Sequence, residues 1–148
     1  MGSFSDTPAL LASGTVYPYR FIRVETTAGS PATVNDNKGE QVDSAADNVV
    51  GVADGSTLTS VGTNADKHAV DGTPITLQGG DVVLVECGGA VVRGGRVQAD
   101  ADGKAISAVV TAGPAFRYQG FVALETGATG QIIRICRNGG MVYYPTTL

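Results

Sequence analysis

The one histidine of the 148-residue chain, His68, lies between Asp66 and Asp71. A His flanked by carboxylates is the raw material of a proton relay or a metal site. A transition metal, however, asks for several His or Cys ligands at fixed spacing. No second His and no nearby Cys answer it, so His68 reads as a solvated loop residue. Asp100-Ala101-Asp102-Gly103-Lys104 is like part of a calcium loop. Such a loop needs an acidic first ligand and a bidentate acid at its end, and Gln98 and Val109 stand there instead. It reads as an Asp-Gly turn. No phosphate-binding glycine loop and no Gly-x-Ser-x-Gly nucleophile elbow occurs. The segments that a dUTPase-type hydrolase needs are also absent, and no enzymatic activity, cofactor or metal is expected.

Cys87 and Cys136 each end an apolar run. They read as buried free thiols, or as a disulfide if their strands are neighbours. The start, Met1-Gly2-Ser3-Phe4-Ser5-Asp6, has neither the basic nor the apolar region of a secretory signal, which favours the reduced state. Asp6 breaks the myristoylation pattern. A net charge of −4 with scattered basic residues disfavours nucleic acid as a partner, because such binding rests on Lys and Arg neutralising phosphates. No apolar run is long enough for a membrane span.

The elements follow from composition. The 21 glycines are about twice the number that a usage near 7% gives. Together with many Val and Thr they indicate short strands and tight turns. Strand signals fall at 20–25, 49–53, 74–77, 82–87, 90–92, 96–99, 104–111, 116–124, 131–136 and 141–144. Gly88-Gly89 and Asn138-Gly139-Gly140 read as hairpin turns. Residues 32–47 and 58–71 read as polar connections. No apolar stripe of helical period is sustained. The fold class is therefore all-β, a small antiparallel β-sandwich or barrel, in one domain spanning 20–148. Residues 1–19 read as an extended N-terminal arm, or a frayed terminus, in which 9–12 has at most one helical turn. Such an arm would dock on a partner by strand addition and aromatic anchors.

From Val50 to Ile135 the chain resembles the phage capsid decoration (cement) proteins of the DUF2190 type. The matching pieces are Gly51-Val52-Ala53, Gly80-Asp81-Val82-Val83-Leu84-Val85, Gly89 to Val97 followed by Asp102-Gly103, and Gly127-Ala128-Thr129-Gly130. The first 45 residues match nothing in that family. The resemblance implies a virion protein on the outer capsid surface, bridging major capsid protein subunits as a homo-oligomer, with a trimer preferred and a dimer possible. Interface residues expected on this reading are Phe4, Tyr17, Tyr19, Arg20, Arg93 and Arg96. The alternative is a tail, fibre or surface module that binds a host glycan or receptor. The aromatic content of 6% and the lack of Trp count against sugar stacking.

Overall fold

A computed structural model describes residues 10–27, 37–44, 47–55, 68–108 and 120–137. These residues contain ten strands and no helix: β1 (Leu10–Ala12), β2 (Phe21–Val24), β3 (Lys38–Gln41), β4 (Val49–Val52), β5 (Pro74–Ile75), β6 (Val82–Glu86), β7 (Arg96–Ala99), β8 (Ala105–Ser107), β9 (Phe121–Ala123) and β10 (Ile132–Arg137). They form two five-stranded sheets, β4-β2-β3-β1-β5 (sheet one) and β6-β10-β9-β7-β8 (sheet two). The architecture is a β-sandwich.

Alternation along each strand supplies the main core. Phe21, Val42 and Val52 from sheet one meet Val83, Val85, Val97, Phe121, Ile133 and Ile135 from sheet two. Phe21 and Phe121 sit at its centre with tilted rings 5.5 Å apart, an arrangement that aromatic quadrupoles favour. A second, smaller core of Ala12, Val16, Ile22, Ala53, Ala69 and Ile75 is closed off separately. Ile22 follows Phe21 in β2, so this core lies on the face of sheet one turned away from sheet two.

Several expectations need correction. Leu10–Ala12 is neither a helical turn nor part of a detached arm. It is a strand between β3 and β5, because Leu10 and Ala12 contribute to the small core. Val16 is fully buried, so 10–19 belongs to the body; residues 1–9 lie outside the described set. The polar stretch 32–47 contains β3, a central strand without one large apolar residue. Gly39 makes it possible: an added Cβ would stand 2.9 Å from a Leu10 methyl and 3.1 Å from one of Ile22. The β1–β3 pair is parallel, while the other pairs between the ten strands are antiparallel. Gly88-Gly89 does not close a hairpin, since β6 pairs with β10 and Val91 bridges to Gly127. The second glycine-rich turn and the strand 141–144 lie outside the described residues.

Two of the four edge strands, β5 and β6, are blocked. Pro74 blocks β5 as a donor. On β6 the Leu84 N–H donates to Gln78 Oε1 at 2.7 Å, and Gln78 Nε2 donates back to the Leu84 carbonyl at 2.6 Å. The Gln78 amide thus occupies the place a further strand would take.

Candidate protein interface

Three of the six expected interface residues meet at one end of the sandwich, where the two sheets are stitched together. Tyr19 takes φ 59°, a left-handed conformation that is uncommon outside Gly. This turn sends its N–H to the Ala53 carbonyl and its carbonyl to the Glu86 N–H, at 2.8 and 2.9 Å. Arg20 follows. Its guanidinium lies 3.1 Å from Glu86, donates to the Asp102 carbonyl at 2.8 Å and stacks 5.2 Å over the Tyr17 ring. Lys104 approaches the other Glu86 oxygen at 3.3 Å. With its side chain only 11% exposed, Arg20 joins sheet one to sheet two.

The Asp-Gly turn serves the same seam. Asp100 Oδ1 accepts the backbone N–H groups of Asp102 and Lys104, so its carboxylate is occupied by its own turn. Gly103, at φ +70°, presses against sheet one, where an added Cβ would lie 3.1 Å from the Val42 carbonyl oxygen. Its own carbonyl accepts the Phe21 N–H at 2.8 Å. What the sequence offers as a fragment of a cation loop is a connector between sheets.

His68 is half-buried, its ring 5.3 Å from that of Tyr17. Asp66 lies outside the described residues, and Asp71 Oδ1 accepts the Gly14 N–H. Among the described residues no group of three or more His, Cys, Asp or Glu is placed to hold a metal ion. Both cysteines are free. Their strands are neighbours, but Cys136 is level with Val82, at the other end of the ladder from Cys87. Burial pushes the Cys87 thiol up, which keeps it protonated and unreactive.

Arg93 and Arg96 are placed elsewhere, both exposed. Arg93 sits in the turn that Gly94 completes at φ +82°, and Arg96 pairs with Val122 on sheet two. Phe4 lies outside the described residues. Thus Tyr17, Tyr19 and Arg20 gather at the seam, while Arg93 and Arg96 lie at and beside the outer face of sheet two.

That outer face carries the feature that sequence reasoning missed. Val82 and Leu84 on β6, Ile132 on β10 and neighbouring Leu124 point outward, with exposures of 38–49%. Arg134 stands between Leu84 and Leu124 and pairs with Glu125 at 2.9 Å. A signal was present. Val82-Val83-Leu84-Val85 and Ile132-Ile133 are apolar at consecutive positions, which in a two-layer sandwich leaves every second side chain without cover.

A second polar cluster lies on sheet one. Arg23 is shared by Glu40 at 2.6 Å, Asp43 at 3.1 Å and Asp47 at 2.6 Å. Beside it, Arg23, Val24, Thr26, Asp47, Asn48 and Val50 line an open groove of about 370 Å³. The neighbouring Glu25 carboxyl is lowered to about 2, chiefly by the Ser13 hydroxyl and then by Thr27. Ser13 Oγ donates to it at 2.6 Å.

No protein-family model and no curated protein matches the chain. Among solved structures it is similar to the N base of the head fibre protein gp8.5 of bacteriophage phi29, with a TM-score of 0.58 and 17% sequence identity, over 96% of each chain. At that identity the likeness is one of fold, and it extends along nearly the whole length of both.

Proposed function

We propose that this chain is a structural protein of a bacteriophage virion. It binds the outer surface of the assembled head and stabilises it by bridging major capsid subunits, as decoration proteins do. The observation that carries this reading is the fold likeness, over nearly the whole of both chains, to a phage head fibre protein. The resemblance of residues 50–135 to decoration proteins points the same way. The physical character of the body supports it. Charged groups at the seam are spent on joining the sheets, and an apolar face is left to solvent, as in a protein that acts by contact and not by turnover. On this reading there is no reactive centre, and affinity arises from several contacts of about 1,000 Å² each, combined through effective concentration.

The test is cosedimentation with expanded heads of its own virus that lack the chain. Saturable, stoichiometric binding that raises the temperature at which heads burst is the expected result. Protein that stays in the supernatant would sink the proposal.

A second reading is favoured by the same likeness to the base of a head fibre: the chain is the base of an appendage that recognises a host glycan or receptor. Binding to host cells or to a glycan array, without binding to heads, would select it.

A further inference from the structure

The outside of sheet two is a continuous apolar surface that the described residues leave uncovered. Alternation places Val82 and Leu84 of β6, Ile132, Arg134 and Cys136 of β10 and Val122 of β9 on this side, with Leu124 beside Arg134. Val82, Leu84, Leu124 and Ile132 are 38–49% exposed. An ion pair stands among them: Arg134 Nη2 lies 2.9 Å from Glu125 Oε1, and both side chains reach solvent. The charges at the margins are already engaged within the chain, Glu86 by Arg20 and Lys104, and Arg96 by a contact of its own. Strand pairing is obstructed at each edge. Besides Pro74 and the Gln78 amide, the Val52 carbonyl of β4 accepts the Gln78 N–H at 2.9 Å, and the Ala105 carbonyl of β8 accepts the Gly88 N–H at 2.8 Å. Ser107 Oγ adds a bond to the Ala90 carbonyl. Stretches of the same chain thus lie along both remaining edge strands, and association is left to faces.

We infer that two copies pack face to face through the outside of sheet two, about a two-fold axis, with Arg134 of each copy facing the partner's Glu125. Charge selects a second copy as the occupant. The face carries one cation and one carboxylate side by side, so the pair is neutral as a whole and complementary to itself after a half-turn. Each charge then meets its opposite, and both contacts form at once, because a two-fold interface uses the same patch twice. Val82, Leu84, Leu124 and Ile132, which surround the ion pair, leave water in the same step. Excluding water strengthens the crossed ion pairs over the exposed pair of a single chain. The patch is modest. From β6 to β9 it is about 10 Å across, and from the level of Val82 to that of Ile132 about 13 Å along the strands. Two such patches bury less than the about 1,200 Å² of a stable complex, so the dimer exchanges with monomer and forms at high concentration. The inference does not depend on head binding.

Charge reversal tests it, read by sedimentation equilibrium over a concentration series up to the solubility limit, with thermal melting to confirm folding. Wild-type protein is expected to shift from monomer to dimer along the series. Arg134→Glu alone and Glu125→Arg alone each set like charges across the axis and stay monomeric. Their equimolar mixture dimerises, because the two carboxylates of one copy meet the two arginines of the other. Both variants lack the ion pair within the chain, so damage to the single chain cannot produce that recovery. Should either fail to fold, Arg134→Gln and Glu125→Gln replace them, each weakening the dimer several-fold. Wild-type protein that remains monomeric at its solubility limit overturns the inference and leaves the face to another partner. A charge-reversed or Gln variant that dimerises like the wild type overturns it too, as does a charge-reversed mixture that stays monomeric.

Discussion

Sheet one covers its far face with a core of its own, closed by Ala12, Val16, Ile22, Ala53, Ala69 and Ile75. Sheet two leaves Val82, Leu84, Leu124 and Ile132 on its far face in water. Both sheets bury their inner faces against each other in the same way. The far face of sheet one is closed by side chains of its own strands β1, β2 and β5 together with Val16, Ala53 and Ala69, of which Val16 and Ala69 bridge to each other. Sheet two has no such cover among the described residues. The difference teaches where to look for partners: a surface completed by its own chain serves stability, and one left incomplete is available for contact.

Substitutions can break or sharpen this contrast. Phe121→Ala empties the centre of the shared core and should cost about 3–5 kcal/mol, whereas Ile75→Ala in the small core should cost about 2–3 kcal/mol, both read from urea unfolding. A separate early transition in the Ile75 variant would show that the small core melts by itself. Gly103→Ala should cost about 1–3 kcal/mol, since the alanine inherits a left-handed backbone and meets two carbonyl oxygens of sheet one. An unchanged midpoint would mean that this turn does not clamp the sheets. Glu86→Gln leaves Arg20 and Lys104 without their shared anion and should cost about 1–2 kcal/mol, less at high salt. At the low end, Leu84→Ser should change stability by no more than about 0.5 kcal/mol while weakening association. A large loss of stability there would mean that the outer face belongs to the fold.

Acid sharpens the comparison further. Glu25 has a folded pKa of about 2 against an ordinary 4.5, so its contribution to stability is present above pH 4.5 and fades as pH falls toward 2. Glu40 behaves oppositely: burial raises its pKa, so its contribution is greatest at low pH and declines as the group ionises. Carboxyl NMR should find the Glu25 midpoint near 2 in the wild type and closer to 4.5 in Ser13→Ala, which lacks the hydroxyl donor. An unmoved midpoint would exclude Ser13 as the cause.

The strands legible in the sequence were those with β-branched runs, such as β6 and β10, whose burial follows from alternation. β3 was hidden because Lys38-Gly39-Glu40-Gln41 carries no apolar signal. It is a strand because its neighbours on both sides supply the ladder and because Gly39 lets Leu10 and Ile22 approach. β1 was hidden because three residues carry too little period to distinguish helix from strand. The site was less legible than the fold. Arg20 looked like a partner-binding cation, but its nearest carboxylate is Glu86, sixty-six positions away, and no local pattern announces such a pair. The exposed face of sheet two was written in the sequence as consecutive apolar residues, which read equally well as strands covered on both sides.

Gln78 has a consequence for life at high concentration. Its amide imitates one residue of a neighbouring chain, so a stray peptide finds β6 already occupied at Leu84, its middle residue. The fold thereby guards this margin against fibre-like clumping with one neutral side chain, without adding charge or a bulge to the strand.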